Sequence, residues 1–321
     1  MLLMCSNSRA TPQAIALLLM VALALMLAGM GGASATGSNP LSDKHMKPRK
    51  VLRRNVARVR PAPVSLRSGS ALVIDAKTNR VLLAKNAREV RPIASLTKLM
   101  TAVVILDRHQ PMQQMIKITR ADIDTLKWSK SRLRPGMRLS RGKLLKLALM
   151  SSENRAAHAL ARHYPGGIRA FMRAMNHKAR RLGMTHTRYI DPTGLSPKNE
   201  STAHDLALLM KAVSTYPLIR RYSTHETSTV DVGRRELQYR NTDHLLFNPG
   251  WDIRLSKTGY INEAGYCLAL NAVVHGRKVI IVLLDAWGRY AHFVDAERIR
   301  TWMRRMTPRF DRDSGLTVVH E

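Results

Sequence analysis

Arg91-Pro92-Ile93-Ala94-Ser95-Leu96-Thr97-Lys98-Leu99-Met100-Thr101-Ala102 changes character at its proline. Pro92 stops any helix from entering from upstream. Beyond it Leu96, Leu99, Met100, Val103, Val104 and Leu106 recur at helical spacing, which predicts an apolar helix over about residues 95–108 with Ser95 in its first turn. Lys98, three residues on, projects from the same face. A serine hydroxyl is a weak nucleophile without an adjacent base. A lysine serves as that base when burial lowers the pKa of its ammonium. The free N–H groups at a helix start suit an oxyanion. Alone, the spacing fits a capping serine and a solvated lysine equally well, so the surrounding chain has to decide.

Upstream, Ser70 to Lys85 reads as a hairpin, two apolar runs flanking a turn around Lys77-Thr78-Asn79. Downstream the pattern is helical to about residue 225. One helix starts after Ser140 and presents Leu144, Leu145, Leu147, Ala148 and Leu149. Others are expected over about 154–163 and 167–182, the last ending at Gly183. A loop through Asp191-Pro192-Thr193-Gly194-Leu195 follows, and Thr202 with Asp205 reads as a capping box for a helix reaching Val213. After residue 225 strands return: Thr227–Val232, Glu236–Tyr239, Trp251–Gly259, Gly265–Val274 and Lys278–Leu284, then a helix from Asp295 to about Met306. Strands from both ends around a helical block predict an α+β fold, a mostly antiparallel sheet with an inserted helical subdomain at about 109–225.

The termini and charge narrow the setting. An almost unbroken apolar run, Ile15 to Met30, follows Arg9 and precedes Ala33-Ser34-Ala35, a small-x-small cleavage signature. Residues 1–35 therefore read as a signal peptide cut after Ala35, with an uncleaved anchor as the alternative, and the expected location is the periplasm. Residues 36–68, with Lys44, Lys47, Arg49, Lys50, Arg53, Arg54, Arg58 and Arg60, read as a flexible basic linker. The folded domain is expected over 69–308, with 309–321 as a tail. Fifty-three Lys and Arg against 22 Asp and Glu give a formal charge of +31. Such a charge calls for an anionic partner. Export argues against nucleic acid and for electrostatic association with an anionic cell wall or membrane surface. Cutting after Ala35 removes Cys5 and leaves Cys267 alone in an apolar strand, so a buried core thiol is expected and no disulfide.

Two more short stretches complete a pattern: Ser152-Glu153-Asn154 between two helices, and Lys257-Thr258-Gly259 on a strand. Singly, each fits a bland role, a helix cap or an exposed strand end. Ser-x-x-Lys, Ser-x-Asn and Lys-Thr-Gly in this order resemble the penicillin-recognising serine DD-peptidases and class A β-lactamases. Asp191-Pro192-Thr193-Gly194-Leu195, Asn199, Ser201-Thr202-Ala203 with Asp205-Leu206-Ala207, and Ile261 with Glu263-Ala264-Gly265-Tyr266-Cys267-Leu268 resemble the low-molecular-mass DD-carboxypeptidase and DD-endopeptidase family. The likeness spans about residues 68–306 and is strongest to the DD-endopeptidase type of Gram-negative bacteria, which lacks an added C-terminal β-domain. The stretch after Lys257 is too short for such a domain.

The resemblance implies a transpeptidase-like fold and roles for particular residues. Ser95 would attack the carbonyl of a D-Ala and form an acyl-enzyme. Lys98 would take its proton, its pKa depressed by the charge of Lys257. Asn154 would hold the Lys98 amine and the substrate amide, and Ser152 would relay a proton to the leaving amine. Lys257 and Thr258 would bind the substrate's terminal carboxylate, while Gly259 permits close approach. The N–H groups of Ser95 and Tyr260 would form the oxyanion hole. The implied partners are peptidoglycan stems and cross-links, with β-lactams as covalent inhibitors and no cofactor. Asn241-Thr242-Asp243 departs from the pattern, which has a second Asn, so Asp243 is given no role. Glu153 is expected to be exposed, and His158, His163, His204 and His292 to be surface or packing residues. No His-Glu-x-x-His or paired-Cys motif occurs, so a zinc peptidase is not expected. Endopeptidase and carboxypeptidase action stay open, since both scissile bonds join D-centres beside a free carboxylate. A β-lactamase is the lesser alternative, because the loop over 184–200 lacks Glu-x-x-Leu-Asn. A non-catalytic wall binder would not need both Ser95 and Lys98.

Overall fold

The computed structural model describes residues 64–232, 235–310 and 318–320. The proposed signal peptide with Cys5, and the basic linker up to residue 63, lie outside them. Strands β1 (Ser68–Asp75) and β2 (Val81–Lys85) form the expected hairpin, with Asn79 at φ +59° in its turn. Two residues, β3 (Arg91–Pro92), lead through a 3-10 turn at Ala94–Leu96 into α1 (Thr97–Asp107). Next come β4 (Met115–Lys117), β5 (Arg138–Ser140), α2 (Arg141–Met150), α3 (Asn154–Arg162) and α4 (Gly167–Arg181). β6 (Glu200–Ser201), α5 (Ala203–Val213) and α6 (Pro217–Ser223) close the helical block. The remainder is β7 (Thr227–Asp231), β8 (Glu236–Arg240), β9 (Asp252–Ile261), β10 (Gly265–Val274), β11 (Arg277–Ala286), α7 (Ala291–Phe310) and β12 (Val318–His320).

The main sheet has the order β12-β2-β1-β11-β10-β9, antiparallel except where β12 pairs with β2. Strand alternation gives it two buried faces. Leu72, Ala269, Ile280, Val282 and Leu284 pack under α5, in a core that continues into α1, α2 and α3. Val73, Leu268, Leu270, Ile281 and Leu283 pack under α7 with Ile299 and Met303. The α+β expectation therefore holds in a three-layer form. Helix α1 is buried from Thr97 to Ile105, as a helix at the centre of the molecule must be. Strand β9 ends the sheet, so one edge of its backbone is unpaired.

Several boundaries differ from the sequence reading for local reasons. The strands at 227–240 form a separate two-stranded sheet. The closing helix starts at Ala291 because a turn at Gly288 sets its first residue, Ala291 N–H donating to the Gly288 carbonyl at 2.9 Å. Asp295 is a buried anchor instead, accepting from the Ser68 amide and hydroxyl, both at 2.7 Å. The capping box at Thr202 is half formed. Thr202 accepts from the Asp205 amide at 3.0 Å, but the Asp205 carboxylate turns away to the His186 amide and Thr187 hydroxyl, each at 2.8 Å.

Candidate active site

Ser95 lies in the 3-10 turn, and the α-helix proper begins at Thr97. The cause is Ala94, at φ +47°, a conformation uncommon for a residue with a Cβ. It is held by the Ile93 amide donating to Asn199 O (3.1 Å) and the Leu96 amide donating to Ile93 O (3.2 Å). Two glycines grip the turn. A Cβ on Gly194, itself at φ +84°, would lie 1.9 Å from Ala94 O, and one on Gly259 would lie 3.0 Å from Ser95 N. The close approach read for Gly259 is thus the approach of the serine's own backbone to β9.

Lys98 is fully buried. Its Nζ donates to Ser95 Oγ, Asn154 Oδ1 and the Thr193 carbonyl, each at 2.7 Å. Burial brings the ammonium down to about 7, against the opposing charges of Asp191 and Glu153. Burial, rather than repulsion by Lys257, is therefore the leading cause. Lys257 is 1% exposed, and burial followed by repulsion from Lys98 holds its ammonium well below its ordinary value too. Lys257 Nζ donates to Thr258 O at 2.8 Å, and the Thr258 and Thr242 hydroxyls lie 2.6 Å apart.

The loop from Asp191 to Asn199 delivers the Thr193 carbonyl. The Asp191 carboxylate accepts from the amides of Thr193, Gly194 and Ser196 and from the Thr193 hydroxyl. Asn199 accepts from the Ile190 and Asp191 amides and donates to Thr97 Oγ1 (3.1 Å), while Thr101 Oγ1 donates to Pro192 O (2.7 Å). Successive turns of α1 are thereby stitched to one loop. The sequence marked Asp191 and Asn199 but not the carbonyl they aim, because a backbone group carries no residue-type signal.

The Ser152-Glu153-Asn154 stretch enters between α2 and α3 with Ser152 at φ +60°. Asn154 also donates to Ser129 Oγ at 2.9 Å, a contact not foreseen. Ser152 makes no side-chain hydrogen bond to Ser95, Lys98 or Lys257 among the described residues. Glu153 is not exposed as expected. It is 8% exposed, accepts from the Arg155 amide at the start of α3, and burial raises its carboxyl. Asp243 is likewise buried. It accepts from Ser256 Oγ (2.5 Å) and the Leu245 amide (2.9 Å), and its charge opposes the loss of the Lys257 proton. Tyr260 is half-exposed on β9, stacked on Tyr266 at 4.3 Å.

His158 and His292 are held by contacts within the fold, and His204 is at the surface. His158 bonds to the buried Asp122, and His292 stacks on Tyr266 and is held at about 4, chiefly by burial. Cys267 is buried and pushed up to about 12 by burial, an inert thiol.

A serine on a tight turn, a buried amine against it and an open strand edge beside it define a class: the active-site-serine peptidases of the penicillin-recognising fold. Similarity to known proteins narrows the class. The sequence profile for D-alanyl-D-alanine carboxypeptidase matches residues 56–288. A D-alanyl-D-alanine endopeptidase of Escherichia coli is 48% identical over 238 residues, 74% of this chain and 77% of that protein. One of Pseudomonas aeruginosa is 49% identical over 245 residues, 76% and 79% of the two chains. The crystal structure of the Streptomyces K15 DD-transpeptidase superposes with a TM-score of 0.70 at 26% identity, covering 75% of this chain and 98% of that one. The chain belongs to the D-alanyl-D-alanine carboxypeptidase family and is a serine DD-peptidase.

Proposed function

We propose that the protein is a D-alanyl-D-alanine endopeptidase that opens peptide cross-links of peptidoglycan in the periplasm, exported by a signal peptide cut after Ala35. The observation that carries the chemistry is the 2.7 Å contact between the buried Lys98 amine and Ser95 Oγ. Neutral Lys98 takes the hydroxyl proton as Ser95 attacks the D-Ala carbonyl. The amides of Ser95 and Tyr260 stabilise the oxyanion. The proton taken up by Lys98 passes through Ser152 to the leaving amine, the C–N bond breaks to leave a Ser95 ester, and Lys98 is neutral again. Lys98 then takes a proton from water as that water attacks the ester, and returns it to Ser95 Oγ as the acid product leaves. Asn154 orients Lys98 and the acyl-side amide. Lys257 and Thr258 hold the carboxylate beyond the scissile bond, and the free edge of β9 accepts the substrate as an added strand.

Penicillin acylates Ser95 and stays. The Asp191 carboxylate is no free base for activating water, because the loop's own amides and hydroxyl occupy it. Endopeptidase action is favoured over carboxypeptidase action because the relatives at 48–49% identity carry that name, whereas a Bacillus subtilis carboxypeptidase is 32% identical. The strongly basic chain also supports electrostatic retention on the anionic wall. The test is a digest of purified cross-linked muropeptide dimers and free pentapeptides, read by mass spectrometry. Conversion of dimer to monomer, blocked by penicillin, supports the reading. Loss of one terminal alanine from pentapeptide with dimers untouched would make it a carboxypeptidase.

A further inference from the structure

A loop beside Asn154 carries apolar and charged groups that none of these steps uses. The Asp124 carboxylate accepts from the amides of Leu126 (2.8 Å), Lys127 (3.1 Å) and Ser129 (2.8 Å). This turn sets Trp128 at φ +53°, where a bulky residue is rare and where strain tends to mark function. The indole is 74% exposed and Leu126 is 58% exposed. Their neighbour Ser129 touches Asn154. Between them Lys127 reaches Glu263, in the turn after β9, at 2.5 Å. One ion pair thus joins the helical wall of the site to its sheet wall, and both members keep access to water.

The register of the proposed substrate says what would meet this pair. If the carboxylate beyond the scissile bond lies at Lys257 and Thr258, and the reacting carbonyl at the Tyr260 amide, then the residues leading up to the bond run along 261–263. We infer that Leu126, Lys127, Trp128 and Glu263 form a subsite for a zwitterionic amino-acid end, an α-amino carboxylate on a short aliphatic arm, carried by the residue that precedes the scissile D-Ala. The inference rests on the endopeptidase reading, in which that residue is the diamino acid of the donor stem. Its carboxylate replaces Glu263 as the partner of Lys127, and its ammonium replaces Lys127 as the partner of Glu263. Leu126 and Trp128 cover the methylenes. An exposed ion pair holds its members together weakly, so exchange for a ligand of the same charges costs little.

The experiment compares three dimers: one with the free donor-stem amino carboxylate, one N-acetylated at that amine and one amidated at that carboxylate. For the native enzyme either cap lowers kcat/KM about tenfold, the scale of one lost charge-assisted contact. Glu263→Gln cleaves the free and acetylated dimers alike, and Lys127→Met the free and amidated ones. The double variant Lys127→Glu with Glu263→Lys keeps an ion pair but reverses its direction, so it stays impaired on the free dimer. Stoichiometric acylation by penicillin checks that each variant is folded. Equal cleavage of capped and free dimers by the native enzyme, or full recovery in the reversed pair, would reduce the contact to a strap and overturn the subsite. A native enzyme that cleaves no dimer at all would instead overturn the endopeptidase reading, and the subsite with it.

Discussion

At the scale of single residues the site is governed by one buried amine. Lys98 sits near 7 because burial disfavours its charge. Only its neutral form can accept the Ser95 proton. Acylation by penicillin should therefore slow about tenfold per pH unit below that value and level off above it; a stopped-flow pH series checks this, and a rate independent of pH from 5 to 8 would contradict it. Stability follows the same group with its own sign. Between about 7 and the ordinary 10.5 of lysine, the unfolded chain binds a proton that the folded chain does not, so this residue's contribution to stability rises with pH across that window. Gly259 sets position rather than charge. Gly259→Ala puts a methyl 3.0 Å from Ser95 N and displaces the nucleophile, with about a hundredfold loss of kcat expected from a shift of about 1 Å. Native kcat in that variant would mean the turn yields freely. Ser95, Lys98 and Asn154, marked by three stretches taken together and by the resemblance they carry, do meet in the fold, with Lys257 close enough to feel the charge of Lys98. The Thr193 carbonyl was not, nor was the burial of Glu153, because both depend on how a distant loop folds back onto α1.

At the scale of elements, the loop over 190–199 and the turn over 119–122 brace the helices that carry the site. Gly194 admits no side chain, being at φ +84° with Ala94 O in the way. Gly194→Ala should lower stability by more than about 2 kcal/mol, read as a fall in the melting midpoint. Asp122 is 2% exposed. Burial alone would raise its carboxyl, but hydrogen bonds from His158, Arg162 and the Thr119 amide hold it well below the usual carboxylate range. A carboxyl depressed in the fold contributes stability that is lost as pH falls through the acid range. Asp122→Asn should cost about 3 kcal/mol at neutral pH by leaving Arg162 and its neighbours without a countercharge, and chemical denaturation measures it. Long elements such as β9, β10, β11 and α2 to α5 could be read from periodicity. β3 and β6 could not, because two-residue ladders have no period. The β4–β5 pair is scarcely longer, and its partners lie on either side of the loop that carries Trp128.

At the scale of the whole molecule the formal charge of +31 outweighs any single ion pair. Charge of that size concentrates a protein on anionic surfaces and is screened by salt. Binding to purified cell-wall sacculi should fall steeply as salt rises toward about 0.5 M, while hydrolysis of small soluble muropeptides changes far less. Retention insensitive to salt would point to specific contacts instead. The three layers have a division of labour: the sheet supplies the edge, α1 and the turn before it carry the proposed serine and base, and α7 covers the far face. Everything proposed for function passes through Ser95, and its most direct test is the mass of the intact protein after exposure to penicillin, followed by peptide mapping. The account predicts one persistent adduct on the peptide containing Ser95, absent from a folded Ser95→Ala variant that also cleaves no dimer. An adduct on another residue, or rapid penicillin hydrolysis with no adduct, would contradict it.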